Sequence, residues 1–147
     1  MNTLNFSAIF QVLPEGLSAA KLQQLTEILS TYYQEGHKYY TDKVSLEDKF
    51  DHEDLLQFIC RLHKLTQDFA RKAEDLSITM RRGKEEINIY PIVDFLEQYS
   101  PAECLALLEV IHTAMVEYLH EENYVSFKSA HKSLSHWRSV FTEIANQ

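Results

Sequence analysis

The sequence predicts an all-α protein, a single-domain bundle of four main helices with one or two short additional helices. Three observations predict this class. The 147 residues include only three Gly and three Pro, too few for many strands joined by tight turns. The hydrophobic content of 45% is enough to bury one core without disulfides or a structural metal. Four long segments carry apolar residues at the three-to-four spacing of amphipathic helices. We therefore expect residues 1–147 to form one domain.

Residues 1–16 are predicted to be an N-terminal arm or a short helix, because the segment from Phe6 to Leu13 is apolar enough to dock on a core. A turn at Pro14 to Gly16 separates this arm from the first main helix, which we expect over 17–41 with Ser18 as its N-cap. The buried stripe of this helix is expected to comprise Leu22, Leu25, Leu29, Tyr32, Gly36 and Tyr40.

The second main helix is predicted over 51–82, with a long apolar stripe of Leu55, Phe58, Leu62, Leu65, Phe69, Ala73, Leu76 and Met80. A different structure competes with its end. Apolar and polar residues alternate from Leu76 to Met80 and again from Glu86 to Tyr90, on either side of a segment that contains Gly83. Such alternation is typical of a hairpin. We favour the helix, so the hairpin over Leu76 to Tyr90 is the alternative.

The third and fourth main helices are predicted over 100–122 and 124–145. Ser100, Pro101 and Glu103 combine an N-cap, a proline in the first turn and a capping-box glutamate, the clearest helix start in the chain. A short helix from about Ile92 to Tyr99 precedes them. The fourth helix has a stripe with a near seven-residue repeat that can continue into a second copy of the chain, so a homo-oligomer is one hypothesis. The stripe comprises Phe127, Ala130, Leu134, Trp137, Phe141 and Ile144.

Composition excludes several classes of function. The net charge of −8 disfavours nucleic acid as a partner, because such binding depends largely on Lys and Arg. No segment has the roughly 20 apolar residues of a membrane span or the pattern of a secretory signal. Cys60 falls on a polar helix face and Cys104 on an apolar one, so we expect no disulfide between them. These features are those of a soluble cytoplasmic protein without a membrane or nucleic-acid partner.

An acidic segment runs from Glu85 to Glu122, with nine carboxylates and no Lys or Arg. Within it the pattern Glu-x-x-His occurs twice, at Glu109/His112 and at Glu117/His120. Helical bundles that hold paired metals use this pattern. However, at 100° per residue both glutamates and His120 point away from the apolar face, whereas His112 lies about 100° from its centre. We therefore predict no metal or other cofactor, with His112 as the remaining weak metal candidate.

The outward carboxylates of the third main helix form a candidate surface for a protein partner, which we expect to be basic. An internal explanation competes with this one, because Arg61 to Lys84 carries seven basic residues against three acidic ones. If the second and third main helices packed side by side, much of the charge asymmetry would be satisfied within the chain. The candidate surface consists of Glu103, Glu109, Glu117 and Glu121.

Four tyrosines flank a glycine in the first main helix. A glycine at this place lets another helix approach closely, or it ends the helix. Phenol rings suit half-buried ligand sites, but they are equally common at the rim of a core or in an interface. The candidate ligand pocket consists of Tyr32, Tyr33, Gly36, Tyr39 and Tyr40.

Two functional hypotheses follow from the sequence. The first is a non-enzymatic acidic bundle that binds another protein, as an adaptor, an inhibitor or a regulatory subunit does. The second is a bundle that binds a small ligand or a metal through His112, His63 or the tyrosines, with enzymatic activity as one version of it. We favour the first, because the chain has no Gly-x-Ser-x-Gly, phosphate-binding Gly-rich loop, His-Glu-x-x-His or Cys-x-x-Cys motif. A thiol nucleophile at Cys60 beside His63 lacks any predicted orienting group.

Overall fold

A computed structural model describes residues 4–40, 52–69, 79–82, 85–88, 90–116 and 124–147. Within these ranges, the side chains of residues 37–40, 52, 69, 79–90 and 124–125 are not described. The described elements are six helices and one β-hairpin. The helices pack as an all-α bundle, as the sequence predicts. They are α1 (Phe6–Gln11), α2 (Ala19–Tyr40), α3 (His52–Phe69), α4 (Tyr90–Gln98), α5 (Pro101–Ala114) and α6 (Tyr124–Ala145).

Side-chain caps begin three of the helices. The Ala8 backbone N–H donates to Asn5 Oδ1 at 3.1 Å at the start of α1. Likewise, the Lys21 N–H donates to Ser18 Oγ at 3.0 Å. At α5, the Glu103 N–H donates to Ser100 Oγ at 3.1 Å, and Pro101 occupies the first turn. Each cap satisfies a backbone donor that has no partner within its helix. The predicted N-caps Ser18 and Ser100 are therefore confirmed.

The four main helices are α2, α3, α5 and α6. α2 packs against α3 on one side and α6 on the other, and α5 packs mainly against α6. A smaller contact between α3 and α5 closes the ring. α4 lies against α3, and α1 lies against α6. The predicted stripes supply the core, because every stripe residue with a described side chain is buried except Phe127, which is partly buried.

The predicted extension of the second main helix to residue 82 is wrong. Strands β1 (Thr79–Arg82) and β2 (Glu85–Asn88) pair in antiparallel fashion, with Met80 opposite Ile87. The alternation of apolar and polar residues outweighs the last positions of the helical stripe. The hairpin alternative is therefore correct for Thr79–Arg82 and Glu85–Asn88. Residues 70–78 lie outside the described part.

Aromatic rings join α4 to the bundle. Phe95 of α4 lies 5.8 Å from the ring of Phe58 on α3 and 5.8 Å from that of Phe141 on α6. Phe141 in turn stacks at 5.7 Å on Trp137. At the edge of this row, Arg61 Nη1 donates to the Tyr99 hydroxyl at 3.1 Å. Ring contacts of this kind stabilise packing beyond the area they bury. Phe95 therefore joins α4 to both α3 and α6.

Candidate functional site

The candidate acidic surface is described in part. Glu103 and Glu109 on α5 are both exposed, as predicted, whereas Glu117 and Glu121 lie outside the described residues. α4 adds two further exposed carboxylates, Asp94 and Glu97. We call Asp94, Glu97, Glu103 and Glu109 the acidic face. Its two helices are separated only by residues 99 and 100, so the four carboxylates lie on consecutive elements.

The packing of α5 bears on the internal explanation of the acidic segment. That explanation requires α5 to lie along α3, but α5 packs mainly against α6 and has only a small contact with α3. None of the four carboxylates of the acidic face makes an ion pair with another described residue. The described part of the acidic face is thus oriented toward solvent. Two valines are also exposed, Val93 on α4 and Val116, which follows the end of α5.

Two histidines meet between α5 and α6. His112 Nε2 lies 3.2 Å from His131 Nε2, and the ring centroids are 5.1 Å apart. Both side chains are half-buried. His112 occupies the last turn of α5, where the helix dipole favours positive charge. The position predicted for His112, to one side of the apolar face, is therefore correct, and its partner His131 is partly buried on α6.

Burial and most of the nearby charges change the pKa of His112 in the same direction. Burial lowers the pKa of His112, and the charges of His131 and Arg138 lower it further. The Glu109 carboxylate has the opposite but smaller effect on this pKa. The neutral imidazole is therefore favoured at His112, and a neutral imidazole is the form that binds a metal ion.

A second polar cluster lies between α2 and α6. Thr26 Oγ1 donates to the Leu22 carbonyl at 2.8 Å and accepts from Trp137 Nε1 at 3.1 Å. Ser133 Oγ is 3.2 Å from the same oxygen. Because the single Thr26 proton goes to Leu22, the Ser133 hydroxyl is the donor in this contact. Thr26, Ser133 and Trp137 are all almost fully buried. Thr26 Oγ1 therefore makes all three hydrogen bonds that a hydroxyl can make, and none is left for a ligand.

The described members of the tyrosine group belong to the core. Tyr32 and Tyr33 are both buried, and the ring of Tyr32 packs edge-on against Phe127 at 6.1 Å. Burial raises the pKa of Tyr33. α2 continues through Gly36, which is itself buried, so the glycine does not end the helix. The side chains of Tyr39 and Tyr40 lie outside the described part, and a ligand pocket here stays a prediction.

The two cysteines occupy the environments predicted for them. Cys60 is exposed, Cys104 is buried, and both are free thiols. Burial, together with the charge of Glu103, raises the pKa of Cys104 to about 12, so this thiol is unreactive at neutral pH. His63, three residues after Cys60 on α3, keeps Nε2 buried without a hydrogen-bond partner among the described residues.

Larger sites are absent from the described residues. No group of three or more His, Cys, Asp or Glu residues converges there as metal ligands. Nor does any described helix combine the length and the apolar character that a membrane crossing requires. Comparisons of the chain with protein-family models, with curated proteins and with solved structures find no match. The geometry of the side chains is therefore what supports a functional inference.

Two features were missed from the sequence. The first is the contact between His112 and His131. The sequence gives the angular position of each histidine on its own helix, but it does not show which helix each of them faces. The second is the contribution of Asp94 and Glu97, which belong to the acidic segment but lie on α4. The signal for the second was present in the sequence, because both residues fall on the polar side of the short helix expected before Ser100.

Proposed function

We propose that this protein is a non-enzymatic helical bundle that binds another protein through the acidic face. The observation that carries the proposal is that four exposed carboxylates on two consecutive helices make no ion pair with a described residue. Such a face attracts a basic partner over a distance of about 8–10 Å at physiological salt. An adaptor, an inhibitor or a regulatory subunit has this kind of surface.

The partner is a segment with basic and apolar side chains. Glu109 and Val116 are seven residues apart and therefore lie on the same side of the helix and the turn that follows it. On α4, Val93 precedes Asp94 directly, and both are exposed. A purely electrostatic surface would contain carboxylates alone. The valines at its edges provide apolar area of the kind that specific interfaces bury.

The test compares two charge variants in affinity capture from extracts of the cells that express the protein. Glu103→Gln/Glu109→Gln removes two charges from the acidic face and keeps the side-chain size. The matched control is Glu27→Gln/Glu35→Gln, which removes two exposed charges from α2. A partner is expected to be retained by the wild type and the control, to be depleted with the acidic-face variant, and to be released by raised salt.

Two results would contradict the proposal. One is equal depletion of the captured protein with both variants, because that would show a general effect of net charge. The other is equal retention by both variants, which would place the interface elsewhere. Far-ultraviolet circular dichroism of each variant provides the check on folding, and all three spectra should agree because the four substituted side chains are exposed.

A further inference from the structure

The two histidines lie within hydrogen-bond distance of each other, but their rings are not aligned with that bond. Their Nε2 atoms are 3.2 Å apart, at the upper end of the usual range of about 2.7–3.2 Å for N–H donors. In a straight N–H···N hydrogen bond of this length, the ring centroids would be about 5.5 Å apart. The observed centroid separation is 5.1 Å. The ring axes are therefore bent away from the line that joins the two nitrogens.

This arrangement matches two ligands of one tetrahedral ion. Zinc binds histidine nitrogen at about 2.0–2.1 Å, so two such nitrogens on a tetrahedral ion lie about 3.3 Å apart, with ring centroids about 5.2 Å apart. At the same bond length, neighbouring ligands of a square-planar ion would be about 2.9 Å apart, and linear ligands about 4.1 Å apart. Both separations are close to the tetrahedral values, so a shared ion could replace the hydrogen bond between the two rings with little movement of either ring.

We propose that His112 and His131 form a binding site for a zinc ion, bridging α5 and α6 through their two Nε2 atoms. Each ring then carries its proton on Nδ1. Among the described residues no group of three ligands converges, so a site built from them has two protein ligands and coordination positions that are open to water. A site with open positions exchanges its ion readily, unlike the closed four-ligand sites that hold small domains together.

The surroundings of the pair suit a cation. His112 lies in the last turn of α5, where the unpaired carbonyl groups concentrate negative potential. The charge of Glu109, one turn earlier, acts in the same direction on His112. Arg138 opposes both effects. The ring of Phe127 lies 6.0 Å from that of His131, and both histidines are partly exposed to solvent.

The site does not depend on the acidic face being a protein interface. Zinc binding is measured on the purified protein without any partner, so its failure leaves the proposed function untouched. The reverse is also true, because loss of partner capture by the Glu103→Gln/Glu109→Gln variant is scored without added metal. Glu109 is common to both regions, and the zinc titration therefore uses histidine variants only.

The test is calorimetric titration of zinc chloride into chelator-treated protein. We expect one equivalent of zinc to bind to the wild type, with affinity at least about tenfold weaker for His112→Ala and for His131→Ala, because each variant removes one ligand. His136→Ala is the matched control, since His136 is a half-buried histidine on α6 outside the pair. Its zinc affinity should equal that of the wild type.

A second measurement identifies the geometry and covers a variant that fails to fold. Cobalt replaces zinc in tetrahedral sites and then absorbs strongly in the visible region, so the wild type should show this band and His131→Gln should lose it. Circular dichroism confirms that each variant is folded. Absence of an equivalent of zinc above that of the double variant His112→Ala/His131→Ala, or equal loss of zinc in His136→Ala, would overturn the proposal.

Discussion

Helix α6 contributes to two polar clusters that differ in burial and in how fully their hydrogen bonds are made. Toward α2, Thr26 Oγ1 donates one hydrogen bond and accepts two, and all members of its cluster are almost fully buried. Toward α5, His112 and His131 touch each other through Nε2 and remain half-exposed. His131 and Ser133 are only two residues apart in the sequence, so the helix turns their side chains to different neighbours.

The difference separates a structural role from a binding role. A buried hydroxyl whose hydrogen bonds are all made stabilises one packing arrangement and offers nothing to a ligand. Two imidazole nitrogens that meet at the edge of the core can instead exchange their mutual contact for a shared ion. Two experiments test this distinction, and a third tests the response to acid of His136, a separate half-buried histidine on α6.

The largest effect is expected for Thr26→Val, which keeps the side-chain volume but removes the hydroxyl. The variant removes the oxygen that accepts hydrogen bonds from Trp137 Nε1–H and from the Ser133 hydroxyl. Loss of a buried hydrogen-bond partner costs about 1–3 kcal/mol, so we expect the free energy of unfolding to fall by about 2–3 kcal/mol. Urea unfolding followed by circular dichroism measures this loss.

The matched control for this variant is Thr142→Val. It makes the same chemical change on α6, but at an exposed position. Its effect should stay within about 0.5 kcal/mol, as is usual for surface substitutions. A loss for Thr26→Val no larger than that of the control would show that the buried cluster does not stabilise the packing of α2 on α6.

A smaller effect is expected from acid, which acts on histidines and not on the hydroxyl cluster. Burial lowers the pKa of His136, and the charge of Lys132 lowers it further. Because the folded-state pKa lies below the unfolded value of about 6.5, the stabilising contribution is complete above that pH and is lost as pH falls through the folded value. In chelator, His136→Gln should therefore lose less stability than the wild type between neutral and acidic pH.

Thr26→Val provides the comparison for this measurement, because its cluster has no titratable group. Its free energy of unfolding should be lower than that of the wild type at every pH, with the same dependence on pH. If His136→Gln retained the whole wild-type loss on acidification, other groups would be responsible for it.

The smallest effect is expected for His112→Ala in the absence of metal. The side chain is half-exposed, and its Nε2 contact with His131 is long. We expect the free energy of unfolding to fall by less than about 1 kcal/mol, because water can replace the lost contact. Urea unfolding in chelator measures this change in the free energy of unfolding. A loss as large as that of Thr26→Val would show that the histidine pair stabilises the fold as much as the buried hydroxyl cluster does.

The helices were predictable from the sequence because each carries its own information. The stripe from Ala130 to Ile144 and the cap at Ser100 are local patterns, and both are present in the structure. The hairpin was harder because Met80 satisfies two periods at once, that of a helix and that of a strand. Short apolar segments of this kind are ambiguous between helix and strand when they are judged by periodicity alone.

The sequence predicted the positions of individual side chains in the candidate site, but not the contacts between them. Exposure of Glu103 and Glu109 follows from the angular position of each on its own helix, and so does the border position of His112. The meeting of His112 with His131 depends on which helices are neighbours and on their relative shift along the axis. Neither quantity is local, so the sequence that places each histidine cannot place the pair.

Trp137 is the single tryptophan of the chain, and its position makes one interface directly visible to fluorescence. Its indole is buried, bonded to Thr26 and stacked on Phe141, so its emission should be blue-shifted in the folded protein and should shift to the red when α2 separates from α6. His131 lies on the same helix but on the side that contacts His112 of α5. Emission therefore reports the opening of the core, and an ion that binds between α5 and α6 should leave its wavelength unchanged.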